Sequence, residues 1–219
     1  MIEEELYKRQ RFLPLKKLNE VLIIGLGGVG MWVALNLALS GAKKLHLVDH
    51  DDIDMSNLNR TLFRQCDIGK KKVLAVLELI LERRNCDVDI YPDKIEHIKD
   101  EAWGAVDTVI DCRDTSEALP ESLTKKARIS GGYDGSRISM HINPKPNTTW
   151  GTAERSAYTA TPSWLVPPEL IAGLITAYIV GMSPFNGEYI HTFNVQDLLK
   201  YSVDYNGMAT RKLMPKEVM

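Results

Sequence analysis

Apolar positions along this chain recur with two periods, and the switches between them outline its elements. A short apolar run, Val21 to Ile24, is followed at once by Gly25-Leu26-Gly27-Gly28-Val29-Gly30. Apolar residues then return at helical spacing (Trp32, Val33, Leu35, Leu37, Ala38), and after a turn at Gly41 a second run, Leu45 to Val48, ends on Asp49. Short unbroken runs suit strands buried on both faces, and the helical spacing suits a helix with an apolar stripe. The stretch therefore predicts strand, glycine turn, helix, strand and acid. Farther on, Lys70 to Arg84 carries Val73, Val76, Leu77, Ile80 and Leu81 on one helical face. Val88 to Tyr91 predicts a third strand, Ile95 to Trp103 a helix, and Val106 to Ile110 a fourth strand ending at Asp111. Residues 1–12 suggest a short polar helix. His50 to Gln65 has no apolar period and suggests a loop or short helical turn.

The second half changes character. Ser116 to Lys126 predicts a helix and Ala127 to Ser130 a strand, with a break at Gly131-Gly132. Arg137 to Ile142 alternates as a half-exposed strand does. Residues 143–168 hold Pro144, Pro146, Pro162, Pro167 and Pro168 and predict a long irregular crossover loop. Glu169 to Met182 follows as a buried helix, and Ile190 to Val195 with Leu198 to Asp204 as terminal strands. The expected fold class is α/β: a Rossmann-like βαβ core extended by a mixed, partly antiparallel sheet. The expected organisation is one domain over 1–219, comprising the helix at 1–12, a first half at 19–115 and a second half at 116–205.

Composition narrows the setting. The 219 residues suit one domain with a substantial core. A net charge of −2 implies no general affinity for nucleic acid or anionic membranes. The first residues, Met-Ile-Glu-Glu-Glu, are acidic where a signal peptide is basic, and Leu170 to Met182 is too short to span a bilayer. Cys66, Cys86 and Cys112 form no CxxC pair, which points to a reducing compartment and against structural zinc. A cytoplasmic location is the expectation.

The glycine turn brings chemistry. Gly25 permits a tight turn, Gly27 lets phosphates approach the backbone, and Gly30 lets helix and strand pack closely. The free N–H groups of the helix start attract an anion. Asp49, at 49 − 25 = 24 residues beyond the first glycine, can accept from a ribose hydroxyl. Ligands of open α/β sheets sit beyond the carboxyl ends of strands, so Asp111 or Asp114 is expected in the same crevice.

The run Asp49-His50-Asp51-Asp52-Ile53-Asp54-Met55-Ser56-Asn57-Leu58-Asn59-Arg60 carries a family resemblance. With Gly25 to Gly30 before it, Gly69 to Lys72 and Asp111 to Asp114 after it, and Tyr7 to Gln10 near the start, the chain resembles the ubiquitin-activating-enzyme superfamily. It is most similar to the ThiF/MoeB/HesA type. The resemblance implies ATP-dependent adenylation of a C-terminal carboxylate, commonly the Gly-Gly tail of a small ubiquitin-like or sulfur-carrier-like protein, with release of pyrophosphate. It implies ATP and Mg²⁺ as cofactors, and a homodimer. The nucleotide would lie on Gly25, Gly27, Gly28 and Gly30, with Asp49 on the ribose beside Asp51. Asn57, Arg60 and Lys72 would hold the phosphates, Asp114 would bind Mg²⁺, and Arg9 would reach the phosphates from the other subunit. The expected reaction has an anion approaching a polyanion, so fixed cations and a metal ion should supply most of the catalysis.

Departures from the family pattern limit what it implies. Thr61 follows Arg60 where the family usually has Gln, and Thr115 follows Asp114 where it has Asn. The paired CxxC zinc motifs are missing, and no cysteine falls within 143–168. No zinc is expected, and adenylation without a thioester step is the expected chemistry. Cys66, near Arg64 and Arg60, is the candidate for a covalent intermediate should one form; Cys112 is expected to be packed. Of the consecutive Lys70, Lys71 and Lys72, spacing does not say which turns inward. Two other readings stand beside this one. An NAD(P)-dependent oxidoreductase shares the βαβ unit but needs no basic, asparagine-rich segment after the ribose acid. A catalytically inactive nucleotide-binding partner subunit is opposed by the retained Arg60, Lys72 and Asp114.

Overall fold

A computed structural model describes residues 2–114, 117–143, 163–182 and 190–195. Its strands are β1 Glu20–Ile24, β2 Lys44–Val48, β3 Asp87–Tyr91, β4 Thr108–Asp111, β5 Ala127–Asp134, β6 Arg137–Ile142 and β7 Ile190–Asn194. Its helices are α1 Ile2–Leu6, α2 Gly30–Leu39, α3 Lys72–Leu81, α4 Glu121–Thr124 and α5 Val166–Ile179. The strands form one sheet in the order β3-β2-β1-β4-β5-β6-β7. β1 to β5 pair in parallel, and β6 and β7 are added antiparallel. This is the expected Rossmann-like core with a partly antiparallel extension.

Both faces of the sheet are covered, which explains the unbroken apolar runs. Val21, Ile23, Leu45, Leu47 and Ile110 face a core completed by α2, α3 and α5. Leu22, Ile24, Val48 and Val109 face a smaller core with Ile95, Trp103, Val106 and Leu123. β1 sits centrally, and the sequence leaves it on opposite sides, through α2 to β2 and later to β4. That switch of direction opens a crevice beyond the carboxyl ends of β1 and β4.

Several expectations are corrected. The helix over 1–12 is reduced to α1 and a 3-10 turn at Gln10–Phe12. From residue 4 to residue 12 the chain is exposed apart from half-buried Tyr7 and Gln10, which donate to Ala38 O and Leu39 O, so no continuous apolar face supports a longer helix. Ile95 to Trp103 forms two 3-10 turns, Ile95–His97 and Asp100–Trp103. Ile95 and Ile98 both reach the sheet three residues apart, the repeat of a 3-10 turn. The helix predicted over Ser116 to Lys126 is, among its described residues, the four-residue α4. β5 runs straight through Gly131-Gly132, paired with Met140 and Ser139 of β6. Gly131 is small because α5 crosses it: a Cβ there would collide with Ile175 Cδ1. α5 begins at Val166, with Pro167 and Pro168 in its first turn, where proline costs no helical hydrogen bond. The strand expected at Leu198 to Asp204 and most of the loop at 143–168 lie outside the described residues. No described helix is long and apolar enough to cross a membrane.

An ion cluster anchors the segment that delivers α3. Asp67 is buried and accepts from the Arg64 backbone N–H at 2.9 Å, Arg64 Nε at 3.0 Å and Lys70 Nζ at 3.0 Å. Arg64 holds its carboxyl well below the usual carboxylate range, against the cost of burial. A depressed carboxylate stabilises the fold above its unfolded pKa, and that contribution is lost as pH falls through the folded value. Arg64 is half-exposed, so solvent screening limits the contribution. Asp67→Asn is expected to lower stability by about 1–2 kcal/mol at pH 7. In urea melts at pH 7 and pH 3, the difference from wild type should shrink as pH drops below about 4.

Candidate active site

The site grows from the turn after β1. Gly25 donates to Val48 O at 2.9 Å and has φ +82°, while the backbone of Cys112 and Arg113 lies 3.0 Å from where a Cβ would stand. Both the conformation and the space therefore call for glycine. Asp49, buried at the end of β2, ties this turn down. Its Oδ2 accepts from Leu26 N at 2.6 Å and its Oδ1 from Asp51 N at 2.8 Å. Burial pushes the Asp49 carboxyl up, and nearby Lys72 together with the two N–H groups pulls against that shift.

The structure resolves the lysine triplet. Lys70 pairs with Asp67 and Glu78, and Lys71 with Asp52 and the His50 carbonyl. Lys72 is the one buried, with Nζ 2.6 Å from Asp51 Oδ2. Burial disfavours the Asp51 carboxylate, but the Lys72 hydrogen bond and charge outweigh it and hold the group below its ordinary pKa.

The acid-rich segment is not a loose loop. Asp54 caps a 3-10 turn over Met55–Asn57 by accepting from Ser56 N, and Asn57 Oδ1 accepts from Asp54 N in return. Thr61, where the family usually has Gln, is buried and donates to Asn57 O at 2.8 Å. The Trp32 indole N–H donates to Arg60 O at 3.1 Å, tying the segment to α2. Arg60 is thereby laid against the glycine turn: a Cβ on Gly28 would lie 3.2 Å from its Cδ and 3.4 Å from its Nε. Its NH1 group donates to Ser56 O and Asn59 Oδ1, but its buried Nε has no partner among the described residues.

Two residues that the sequence did not single out complete this corner. Tyr133 Oη lies 2.9 Å from the same Gly28 Cβ position and hydrogen-bonds Ser163 Oγ at 3.1 Å. Asn59 Nδ2 donates to Ser163 O at 3.2 Å. The signal was obscured by the supposed break at Gly131-Gly132. A strand carried two residues past Gly131 places Tyr133 on the same face as Gly131.

The remaining expected residues fall elsewhere. Asp111 is forked by Arg113 at 3.0 Å through both Nε and NH2, and Asp114 is exposed just beyond it. Arg9 is exposed on an arm whose Tyr7 and Gln10 bond Ala38 O and Leu39 O, at the end of α2 opposite the glycine turn. A ten-residue helix separates the two, about 15 Å. Cys112 packs against Gly30, and desolvation holds its thiol well above the ordinary range, which disfavours the thiolate. Cys66 is exposed, and Arg64 next to it directs its guanidinium to Asp67, Glu78 and Glu82. Among the described residues, the one group of His, Cys or acids close enough to share an ion is Asp49, His50 and Asp51.

Chemically, one end of the sheet thus offers backbone N–H groups, a guanidinium N–H and an ammonium around an unobstructed glycine: nothing lies within 4 Å of a Cβ built on Gly27. Such a set suits a polyanion. The ThiF family pattern matches residues 7–121, more than half of the chain. The chain belongs to the ThiF family.

Known relatives agree with this membership. The ThiF-family chain is 41% identical over 80 residues to the NEDD8-activating enzyme E1 catalytic subunit of Caenorhabditis elegans, a match covering 36% of this chain and 19% of that protein. It therefore spans about a fifth of that curated relative's length. Among solved structures, PaaA superposes with a TM-score of 0.66 at 23% identity, covering 90% of this chain and 71% of that one. MccB of E. coli, solved with MccA-N7isoASN, gives 0.61 at 20% identity, covering 87% and 72%. These two likenesses show the shared fold.

Proposed function

We propose that this chain is a single adenylation domain, an ATP-dependent adenylyltransferase that activates a C-terminal carboxylate. A carboxylate oxygen attacks the α-phosphorus of ATP, the bond to the β-bridging oxygen breaks, and pyrophosphate leaves. Asp49 binds the ribose beside Asp51, and the turn Gly25–Gly30 receives the phosphates. Asn57, Arg60 and Lys72 neutralise the phosphates, and Asp114 would hold Mg²⁺, which would offset charge on the leaving group when bound. The acyl donor is the tail of a small ubiquitin-like or Gly-Gly-ending protein, or a short peptide. The family membership, the NEDD8-activating relative and the MccB structure with ATP support this reading.

The observation that carries it is Arg60 lying on Gly28 with a buried Nε that has no partner among the described residues. A cation fixed against a glycine turn is placed for phosphate charge. Arg9 acts, in this proposal, across a homodimer, because in its own chain α2 stands between it and the turn.

The test is ATP–pyrophosphate exchange in the presence of Gly-Gly-ending proteins and peptides, with NADH and NADP⁺ as competing ligands in a thermal-shift series. Asp114→Ala is expected to retain ATP binding while exchange falls about 100-fold or more. Undiminished exchange in that variant would remove the metal role. Stabilisation by NADH alone would replace the proposal with an oxidoreductase.

A further inference from the structure

We propose that the outer face of α3 is the surface on which two copies of this chain pair, antiparallel about a two-fold axis beside Leu77, and that this pairing carries Arg9 of each copy to the phosphate end of the other. What Arg9 does there rests on the adenylation reading; the surface rests on the fold alone.

α3 packs on α2 and on β3, and β3 is the edge of the sheet. Lys72, Val73, Ala75, Val76 and Ile80 fill its buried side. On the other side Leu74 and Leu81 are 41% and 48% exposed, with half-buried Leu77 between them. Positions 74, 77 and 81 share one helical face, so the three leucines form a strip rather than scattered exposures. Its acidic rim, Glu78 and Glu82, is already neutralised within the chain by Lys70 and Arg64. A charge-balanced apolar strip marks an association surface, and two such rims do not repel each other.

A second copy fits this strip for two reasons. The strip is self-complementary: a two-fold axis beside Leu77 sets Leu74 of one copy against Leu81 of the other. The ends of α3 also differ in what they carry. α3 starts at Lys72, in the candidate site, and finishes beside the N-terminal arm, where Arg84 lies 5.5 Å over the Tyr7 ring and shares the Ala38 carbonyl with Tyr7 Oη. Its ten residues span about 15 Å, the same length of helix that separates Arg9 from its own glycine turn. Antiparallel pairing exchanges these ends, so the arm with its exposed Arg9 comes beside Lys72 of the second copy. Parallel pairing would bring the two arms together and leave both sites without Arg9.

Sedimentation analysis tests the surface. Wild type is expected to be a dimer, and the double variant Leu74→Glu, Leu81→Glu a monomer with an unchanged melting midpoint and exchange reduced to the level of Arg9→Ala. Direction is read by disulfide trapping with diamide in a Cys66→Ser background: Leu74→Cys and Leu81→Cys chains should link when mixed and not when alone. An equal mixture of Arg9→Ala and Lys72→Ala chains should recover about a quarter of wild-type exchange, since half of the dimers are mixed and each has one intact site. A monomeric wild type, a dimer that survives the double variant, either cysteine chain linking to itself, or no recovery in the mixture would overturn the proposal. A wild type that pairs through α3 yet shows no exchange with any acyl donor would instead refute the adenylation reading and leave the surface standing.

Discussion

Lys72→Ala is expected to lower ATP–pyrophosphate exchange about 100- to 1000-fold, the range for removing one fixed charge-stabilising donor. Of three consecutive lysines, it alone is buried, and its ammonium lies against Asp51 between the end of β2 and the start of α3. Lys70 and Lys71 are held by Asp67, Glu78 and Asp52, so neither can take over. The variant should also lose stability, because Lys72 pulls down the pKa of both Asp49 and Asp51. Removing it raises both folded values. The lost stability is therefore present above the ordinary carboxylate range and vanishes as pH falls below it. With Asp51 about half-exposed, the loss at pH 7 is about 1–2 kcal/mol. Exchange assays and urea melts at pH 7 and pH 3 check the two effects separately. Exchange retained within a few-fold would take the phosphate role away from Lys72.

Gly30→Ala is expected to be the most damaging single methyl in the protein. A Cβ on Gly30 would overlap the carbonyl oxygen of Gly25 and press on the Cβ of Cys112. The Gly25 atoms are backbone at the switch point, so relief requires α2 to move off β1. A cost of about 4 kcal/mol or more follows, seen as a fall in thermal midpoint of about 10 °C or more by circular dichroism. Gly27→Ala is the internal contrast. No atom lies within 4 Å of its added Cβ, so the midpoint should hold while Mg·ATP affinity falls, since the methyl projects into the space assigned to phosphate. A destabilised Gly27→Ala would place that residue in packing alone.

Legibility varied with the range of the interactions involved. β1, α2, β2 and α3 were read to within a few residues, because each is buried on a face set by its own side chains. The apolar residues of the Ile95 to Trp103 segment could serve a helix or 3-10 turns, and the sheet beneath selects the turns. Gly131-Gly132 reads as a break in the sequence because glycine weakens an isolated strand. Pairing with Met140 and Ser139 of β6, with Ile175 filling the space over Gly131, carries the strand through. At the site, Asp49, Arg60 and Lys72 could be named from spacing. Which acid Lys72 meets, and that Asp111 is engaged by Arg113, could not.

By itself the sequence determined the βαβ unit, the glycine turn and the identity of its acidic and basic neighbours. These depend on contacts within one turn, one pleat or one short connection, where residue order and distance in space are nearly the same thing. Only the tertiary structure decided that Arg60, Gly28, Tyr133 and Ser163 share a corner, and that Arg9 lies at the far end of α2. Those meetings depend on which strands are neighbours and how far each runs, and that is set by packing across the whole sheet.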